Sequence, residues 1–108
     1  MYDEALAARV RAALSREKAV AEIKMFGGLC FTIRGNMCCG VLGHDLIVRA
    51  DTASTEEILQ DPNARPFDFT GRPMKGIFFV SQKGLRGAGL KKWLALGLDR
   101  GSRLPSKA

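Results

Sequence analysis

Long apolar segments are absent from this sequence of 108 residues. A membrane-crossing helix needs about 20 apolar residues in a row, whereas the densest apolar stretch here, residues 77–80, is only as long as a short strand. The chain starts with acidic residues ahead of an alanine-rich segment, and a secretory signal would instead join a basic start to an apolar core. The sequence therefore predicts a cytoplasmic protein without a membrane partner.

Cysteine is also scarce. The three cysteines, Cys30, Cys38 and Cys39, are odd in number and lie within ten residues of one another. A secreted protein held together by disulfides has an even number of cysteines spread along the chain. We therefore expect reduced thiols that pack as small apolar side chains.

A zinc site built from these thiols and His44, the single histidine, would have suitable ligand types. We expect the turn between the two cysteine-bearing strands to lie at residues 35–36. Since neighbouring residues of a strand face opposite sides, that register puts Cys38 on the face opposite to Cys30 and Cys39. The thiols then do not converge, and we predict that no metal or other cofactor is bound.

No motif in the chain describes an active site. His44 falls in a predicted turn beside Asp45, and no Ser-His-Asp or Cys-His arrangement is present. The glycine-rich segment 84–89 precedes a predicted helix as a phosphate-binding loop does, but Leu90 stands where such a loop has its lysine. A flexible connector is the simpler interpretation, with weak anion binding as the alternative. We expect no catalytic residues and no enzymatic activity.

Positive charge is concentrated in the last quarter of the chain. The net charge is +6, and residues 83–108 alone carry seven basic side chains and one acidic one. Such a segment attracts nucleic acid or an acidic partner, or it is only a solvated helix face. The side chains that we expect to contact a partner or phosphate groups are Arg72, Lys75, Lys91, Lys92, Arg100 and Arg103.

The first half of the chain predicts a helix followed by a β-meander. Asp3 is placed to cap a helix that runs to about Glu17. The apolar stripe of this helix consists of Leu6, Val10, Ala13 and Leu14. Four β-rich segments follow, and their short turns require antiparallel pairing. These segments are residues 20–26, 29–33, 37–42 and 46–49.

The second half predicts a short helix, one or two strands and a last helix. Ser54 or Thr55 is expected to cap the helix at residues 56–60, and residues 77–80 form a buried strand. The apolar stripe of the last helix consists of Leu90, Trp93, Leu94, Gly97 and Leu98. The predicted fold class is α+β, a two-layer sandwich with an antiparallel sheet in the order α-β-β-β-β-α-β-α.

Residues 67–76 form a loop with two open interpretations. Polar side chains on a backbone shaped by glycine and proline are typical of a functional surface. Alternatively, Phe67 and Phe69 pin the loop to the core, and Asp68 bonds nearby backbone groups. The sequence alone does not decide between these two roles.

Four segments of the chain resemble one known family. They are KMFGGLCF at residues 24–31, GNMCCGV at 35–41, DFTGRPMKG at 68–76 and Trp93-Leu94 near the end. In this order and at this spacing, they resemble the N-terminal domain of the TfoX/Sxy competence regulators, over nearly the whole chain.

This resemblance implies a two-layer α/β domain similar to secretion-chaperone-like folds. It also implies a regulatory role, in which genes for DNA uptake are activated together with a cyclic-AMP-receptor-type transcription factor. No catalytic residues are known for the family. Full-length members continue into a helical C-terminal domain, so residues 1–108 are expected to be a stand-alone N-terminal-like domain.

Three functional hypotheses follow from these observations. The leading one is a non-enzymatic adaptor that binds a protein partner, with a transcription factor as one candidate. The second is a weakly specific nucleic-acid binder that uses the basic C-terminal helix, and the third is a small-ligand protein or an enzyme. The sequence leaves open whether the chain is a monomer or a homodimer.

Overall fold

The computed structural model describes residues 2–25, 27–68, 71–72 and 74–105. Within these ranges the helices are α1 (Glu4–Ala13), α2 (Thr55–Leu59) and α3 (Gly89–Arg103). The strands are β1 (Val20–Met25), β2 (Gly28–Ile33), β3 (Asn36–Leu42), β4 (Asp45–Arg49), β5 (Ala64–Phe67) and β6 (Met74–Val80). All neighbouring strands are antiparallel, in the order β1-β2-β3-β4-β6-β5. The predicted fold class is confirmed, and the segment expected to hold one or two strands holds two.

The first helix begins where the sequence predicts and ends earlier. The Asp3 carboxylate accepts a 3.0 Å hydrogen bond from a backbone N–H three residues ahead, so it is the N-cap. The helix ends at Ala13 rather than near Glu17, because the Ser15 hydroxyl donates to the Ala12 carbonyl and competes with a further helical turn. Ala13, expected in the apolar stripe, is exposed. The buried side chains of this segment are Leu6, Ala7, Val10 and Leu14.

The turn between β2 and β3 lies one residue earlier than predicted. Arg34 and Gly35 form it, with φ values of 53° and 84°, and Ile33 pairs with Asn36. Two successive residues with positive φ give a two-residue turn the twist that a hairpin needs. Asn36 is instead buried at the start of β3, where its side-chain amide donates a 2.8 Å hydrogen bond to the Pro105 carbonyl.

A β-bulge at Cys38 decides which face each cysteine occupies. Phe31 pairs with Cys39 and the register then shifts, so Cys38 is an extra residue of β3. This insertion brings Cys38 and Cys39 into the same core cluster, beneath the helices. Cys30 follows the alternation of β2 and faces the other side. Cys38 thus lies on the face opposite to Cys30, as predicted, whereas the predicted placement of Cys39 on the same face as Cys30 is wrong.

The second helix has a different cap from the predicted one. The Asp51 carboxylate accepts a 3.0 Å hydrogen bond from a backbone N–H two residues ahead and starts a short 3-10 turn that leads into α2. Ser54 makes no side-chain capping bond. The Thr55 hydroxyl donates to the Thr52 carbonyl, so the expected role of Ser54 or Thr55 as the cap is wrong.

The helices pack on one face of the sheet. Leu90, Trp93, Leu94 and Gly97 of α3 are buried and Leu98 is half-buried, which confirms the predicted stripe. The last helix ends at Arg103, just before Pro105, as expected. Of the helices in the described part of the chain, none combines the length and apolar character that crossing a bilayer requires.

A smaller cluster lies on the opposite face. It contains Ile47, Phe67 and Phe79, and the rings of Phe67 and Phe79 are 4.8 Å apart between their centroids. Phe67 thus pins the start of the 67–76 loop to the core, as one of the two interpretations expected. Phe26 and Phe69, which the predictions also involved, lie outside the described residues.

Candidate functional surfaces

Large apolar side chains exposed to solvent mark two places on the sheet. In the described part of the chain these residues are Ile23, Met25, Leu59 and Met74. The first two lie on β1 at one edge of the sheet, whereas the other two lie near the opposite edge, on α2 and β6. Exposed apolar side chains that occur together are typical of interaction sites. The molecule therefore has two separate candidate surfaces.

The surface around Leu59 and Met74 is a depression of about 150 Å³ between α2, β5 and β6. We call it the Leu59–Met74 surface. These two side chains are 39% and 43% exposed, respectively. The depression is lined by Thr55, Leu59, Pro66, Met74, Lys75, Gly76, Ile77 and Phe78. It joins an apolar floor to a single cation, Lys75.

Gly76 sets the local geometry of this surface. Its φ is 77°, and its carbonyl accepts a 2.8 Å hydrogen bond from the Ala50 N–H. A side chain at this position would approach the Ala50 carbonyl oxygen to 2.9 Å. This irregular residue interrupts the alternation of β6, and both residues before it, Met74 and Lys75, are exposed. Met74 and Lys75 can therefore contact one bound partner together.

Two of the predicted contact residues lie at or near this surface. Lys75 lines it directly, and Arg72 is exposed in the short described segment 71–72 that precedes β6. The 67–76 segment thus combines a buried anchor, Phe67, with exposed apolar and cationic side chains. Asp68 bonds a nearby backbone group, as one of the two interpretations of this loop expects: its carbonyl accepts a 2.8 Å hydrogen bond from the Gly71 N–H.

The other four predicted contact residues lie on α3 and do not form one uniform basic patch. Lys91 and Lys92 are exposed in the first turn, and the Lys92 ammonium lies 5.1 Å from the centre of the Trp93 indole ring. Arg100 is half-buried in the last turns of the helix.

Arg103 is partly neutralised by two carboxylates. Its guanidinium lies 3.0 Å from the Asp99 carboxylate and 3.5 Å from that of Asp51. The pKa of Asp51 is lowered by its hydrogen bond from the Ala53 N–H, and further by the charges of Arg100 and Arg103. The cationic end of α3 therefore faces acidic groups of the same chain.

A groove of about 340 Å³ separates α2 from α3. Its floor is apolar and consists of Ile58, Trp93 and Leu96, and its rim carries more acidic than basic side chains. The charged rim residues are Glu57, Asp61, Lys92 and Asp99. Sequence reasoning missed this groove because its two walls come from helices about 35 residues apart.

The thiols form a buried pair and a separate third group. The sulfur atoms of Cys38 and Cys39 are 3.9 Å apart, and the Cys38 thiol donates to the Phe31 carbonyl at 3.3 Å. The hydrogen bond between the two thiols, together with burial, raises the pKa of Cys39 well above its usual value, and the same bond lowers the pKa of Cys38. In the described ranges no three metal-binding side chains converge. That the protein binds no metal stays a prediction.

His44 has a positioned partner, which the sequence analysis did not expect. Its Nδ1 lies 3.2 Å from the Asp3 carboxylate, and the same carboxylate accepts from the Gln82 amide at 3.0 Å. The His44 side chain is 82% exposed. Asp3 and His44 are 41 positions apart, so only the tertiary fold reveals this contact.

The glycine-rich segment is folded rather than open. Residues Gln82–Leu85 form a short 3-10 helix, and α3 begins at Gly89. A Cβ atom on Gly89 would overlap the carbonyl oxygen of Gly84. The two glycines at the ends of the segment therefore touch, which explains their residue type by packing.

The family model described as TfoX N-terminal domain matches residues 12–100. This match includes the cysteine-bearing strands, the Leu59–Met74 surface and most of α3. No curated protein and no solved structure matches the chain.

Proposed function

This chain belongs to the TfoX N-terminal domain family, and we propose that it is a cytoplasmic, non-catalytic regulatory adaptor that binds a protein partner. The binding site in this proposal is the Leu59–Met74 surface. One observation carries the proposal: two large apolar side chains, each about two-fifths exposed, share one depression with the cation Lys75.

Exposure of these side chains supports an interaction role. Burial of apolar area is the main driving force of association, and methionine is enriched at protein interfaces because it adapts to irregular contacts. Leu59 is the last residue of α2 and Met74 the first of β6. The core does not need these two side chains, so the fold permits their use by a partner.

The charge near the surface defines the partner further. Lys75 lines the depression and Arg72 is exposed just before β6. An acidic segment with apolar anchors would place its anchors between Leu59 and Met74 and its carboxylates near the two cations. A transcription factor that presents such a segment is the partner class that the resemblance to competence regulators favours.

Affinity capture from lysate of the source organism tests this proposal. The bait is the chain itself, compared with a Leu59→Ser/Met74→Ser variant, and bound proteins are quantified by mass spectrometry before and after nuclease treatment. We expect at least one protein to be retained after nuclease and reduced roughly tenfold or more by the double substitution. Both side chains are exposed, so the variant should keep its circular dichroism spectrum.

Ser102→Ala is the control, because it changes an exposed side chain of α3 that lies neither at the Leu59–Met74 surface nor on β1. The captured protein should bind this variant as it binds the unchanged chain. Equal capture by all three baits would show that the Leu59–Met74 surface is not the binding site.

Direct nucleic-acid binding through α3 is the second candidate. Lys91 and Lys92 favour it, because both are exposed in the first turn of the helix. The pairing of Arg103 with two carboxylates opposes it. Proteins that leave the bait on nuclease treatment would support this candidate over the adaptor.

A further inference from the structure

The β5 edge of the sheet has no N–H group to offer to another strand. In an antiparallel pair, alternate residues bond to the neighbouring strand and the others point away. The Ser81 N–H donates a 2.8 Å hydrogen bond to the Asn63 carbonyl, so the backbone of Asn63 faces β6. By alternation, the backbone N–H and C=O groups of Ala64 and Pro66 point away from β6, toward the open edge. Ala64 N–H donates to the Asp61 carbonyl at 3.0 Å, and proline has no N–H.

The β1 edge, in contrast, has outward backbone N–H groups that can bond to another strand. The Arg34 N–H donates to the Ala19 carbonyl at 3.2 Å, in phase with the β1–β2 register. The outward N–H and C=O groups are therefore those of Val20, Glu22 and Lys24. Residues 21–25 are exposed, and an edge of this kind is a template for strand addition.

The charges of β1 are complementary to a second copy of β1. If two copies pair antiparallel about an axis at Ile23, Glu22 of each copy lies opposite Lys24 of the other. The Glu22 carboxylate also accepts hydrogen bonds of 2.6 and 2.8 Å from Arg11 of its own chain, so Lys24 of the second copy would share it with Arg11. Both residues point their backbone groups outward, so this register gives four backbone hydrogen bonds. The next register with the same hydrogen-bond phase places Glu22 opposite Glu22, and like charges directly opposite destabilise a pair.

The other face of β1 is apolar. Ile23 and Met25 are 47% and 41% exposed, and Ala21 alternates with them on the same side. In the register centred on Ile23, the two Ile23 side chains meet and each Met25 packs beside Ala21 of the second copy. Strand pairing thus joins ion pairs on one face to apolar contacts on the other.

We infer that β1 is a self-association surface, at which a second copy of this chain adds its own β1 and extends the sheet across a two-fold axis. Glu22 and Lys24 select the register, and Ile23 lies on the axis. This surface is at the opposite end of the sheet from the Leu59–Met74 surface, so it is independent of the proposed adaptor function.

Two charge variants test the inference by sedimentation velocity over a dilution series. Lys24→Glu gives a strand with two acidic residues, and Glu22→Lys gives one with two basic residues. Because Glu22→Lys also removes the ion pair with Arg11, the fold of each variant is checked by circular dichroism, and recovery in the mixture is the deciding result. Each alone should dimerise about tenfold or more weakly than the unchanged chain, because two attractive pairs become repulsive. An equimolar mixture of the two variants should dimerise again, because each Glu then meets a Lys.

Lys18→Glu is the control for the change in net charge, since Lys18 is exposed just outside β1. It should leave dimerisation within about twofold of the unchanged chain. A monomer at all concentrations up to the millimolar range, or a dimer that both charge variants leave intact, would overturn the inference.

Cysteine crosslinking tests the register without weakening the pairing. In a non-hydrogen-bonded pair, opposite Cα atoms are about 4.5 Å apart, within the range of a disulfide. Ile23→Cys should therefore form a crosslinked dimer under mild oxidation. Ala21→Cys, on the same face, would lie about 13 Å from its copy and should not crosslink. Equal crosslinking of both variants would contradict the register.

Discussion

Gly97 of α3 lies directly against the main chain of Cys38, and a Cβ atom on Gly97 would overlap the Cys38 carbonyl oxygen. Cys38 is the bulged residue of β3, so the backbones of helix and sheet touch where the strand is irregular. Glycine in a helix is destabilising by about 1 kcal/mol relative to alanine. Here that cost is offset by a close approach between helix and sheet.

Gly97→Ala should destabilise the protein in spite of the gain in helix propensity. The added methyl group forces α3 away from β3, and such overpacking costs about 1–3 kcal/mol. Chemical denaturation gives the free energy of unfolding. Ser102→Ala, at an exposed position of the same helix, is the control and should be neutral or slightly stabilising. A Gly97→Ala variant as stable as this control would disprove the close contact.

Trp93→Ala should destabilise the protein strongly. Trp93 is 2% exposed and belongs to the main core cluster, and truncation of a buried tryptophan costs about 3–5 kcal/mol. Since a typical domain has about 5–15 kcal/mol of stability, the variant should melt much lower or fail to fold. The fluorescence maximum of the unchanged protein checks the same point independently: a maximum typical of a solvated indole would contradict the burial.

The three thiols should react slowly with a thiol reagent in the folded state. Burial raises the pKa of Cys30, and the hydrogen bond between the Cys38 and Cys39 thiols, with burial, raises that of Cys39, so these two thiols carry little thiolate. The same hydrogen bond lowers the pKa of Cys38, but this side chain is fully buried and out of reach of the reagent. We expect reaction on the order of 100-fold slower in buffer than in denaturant. Three fast-reacting thiols in the native protein would show that this part of the core opens readily.

Stability should fall in acid. The pKa of Asp3 is lowered by its bond from Leu6 N–H and by His44, and the pKa of Glu22 is lowered by its ion pair with Arg11. A carboxylate whose pKa is lower in the folded than in the unfolded protein stabilises the fold at pH values above its unfolded pKa of about 4. This stabilisation is lost as the pH falls through the folded pKa. The melting temperature should therefore decrease below about pH 4.5.

The Asp3→Asn/Glu22→Gln variant tests the cause of this decrease. It should melt lower at pH 7 and lose less melting temperature on acidification, because the two titrating groups are gone. Asn still accepts the capping hydrogen bond at any pH, so the helix should persist. Asp68→Asn, at an exposed loop position, is the control. If the melting temperature of the double variant falls on acidification as much as that of the unchanged chain, other carboxylates cause the decrease.

Binding to duplex DNA should be weak, independent of sequence and strongly dependent on salt. Lys91, Lys92 and Arg100 can approach phosphates, whereas Arg103 is paired with Asp51 and Asp99. Three phosphate contacts give a slope of about −2.7 for log affinity against log salt. Fluorescence anisotropy with unrelated duplexes measures this slope. Nanomolar, sequence-dependent binding at physiological salt would favour the nucleic-acid alternative over the adaptor.

The sequence was sufficient for the fold class and for most elements, because periodicity and capping are local signals. The stripe of α3 and the Asp3 cap were predicted from neighbouring residues alone. The turn at Arg34-Gly35 was misplaced because Arg34 adopts a positive φ that arginine rarely takes. The bulge at Cys38 has no local signal, and it places Cys39 on the face opposite to the predicted one.

The candidate surfaces depended on the tertiary structure. Leu59 and Met74 are 15 positions apart and share one depression only because α2 packs on β5, which pairs with β6. Composition predicted that Lys75 and the α3 cations are exposed, but it did not show that Arg103 faces Asp99 and Asp51. Charge counted along a chain does not reveal which charges are already paired in the fold.

Pro66 in β5 has a consequence for how far assembly can proceed. Growth of a fibre needs each molecule to accept a neighbour at both ends of its sheet. Here one end lacks free donors, since Pro66 has no N–H and Ala64 N–H is already bonded to Asp61. Any sheet extension through β1 therefore stops at two chains and leaves a finite particle that more protein cannot lengthen. The proline thus caps the sheet at one end and limits growth by strand addition.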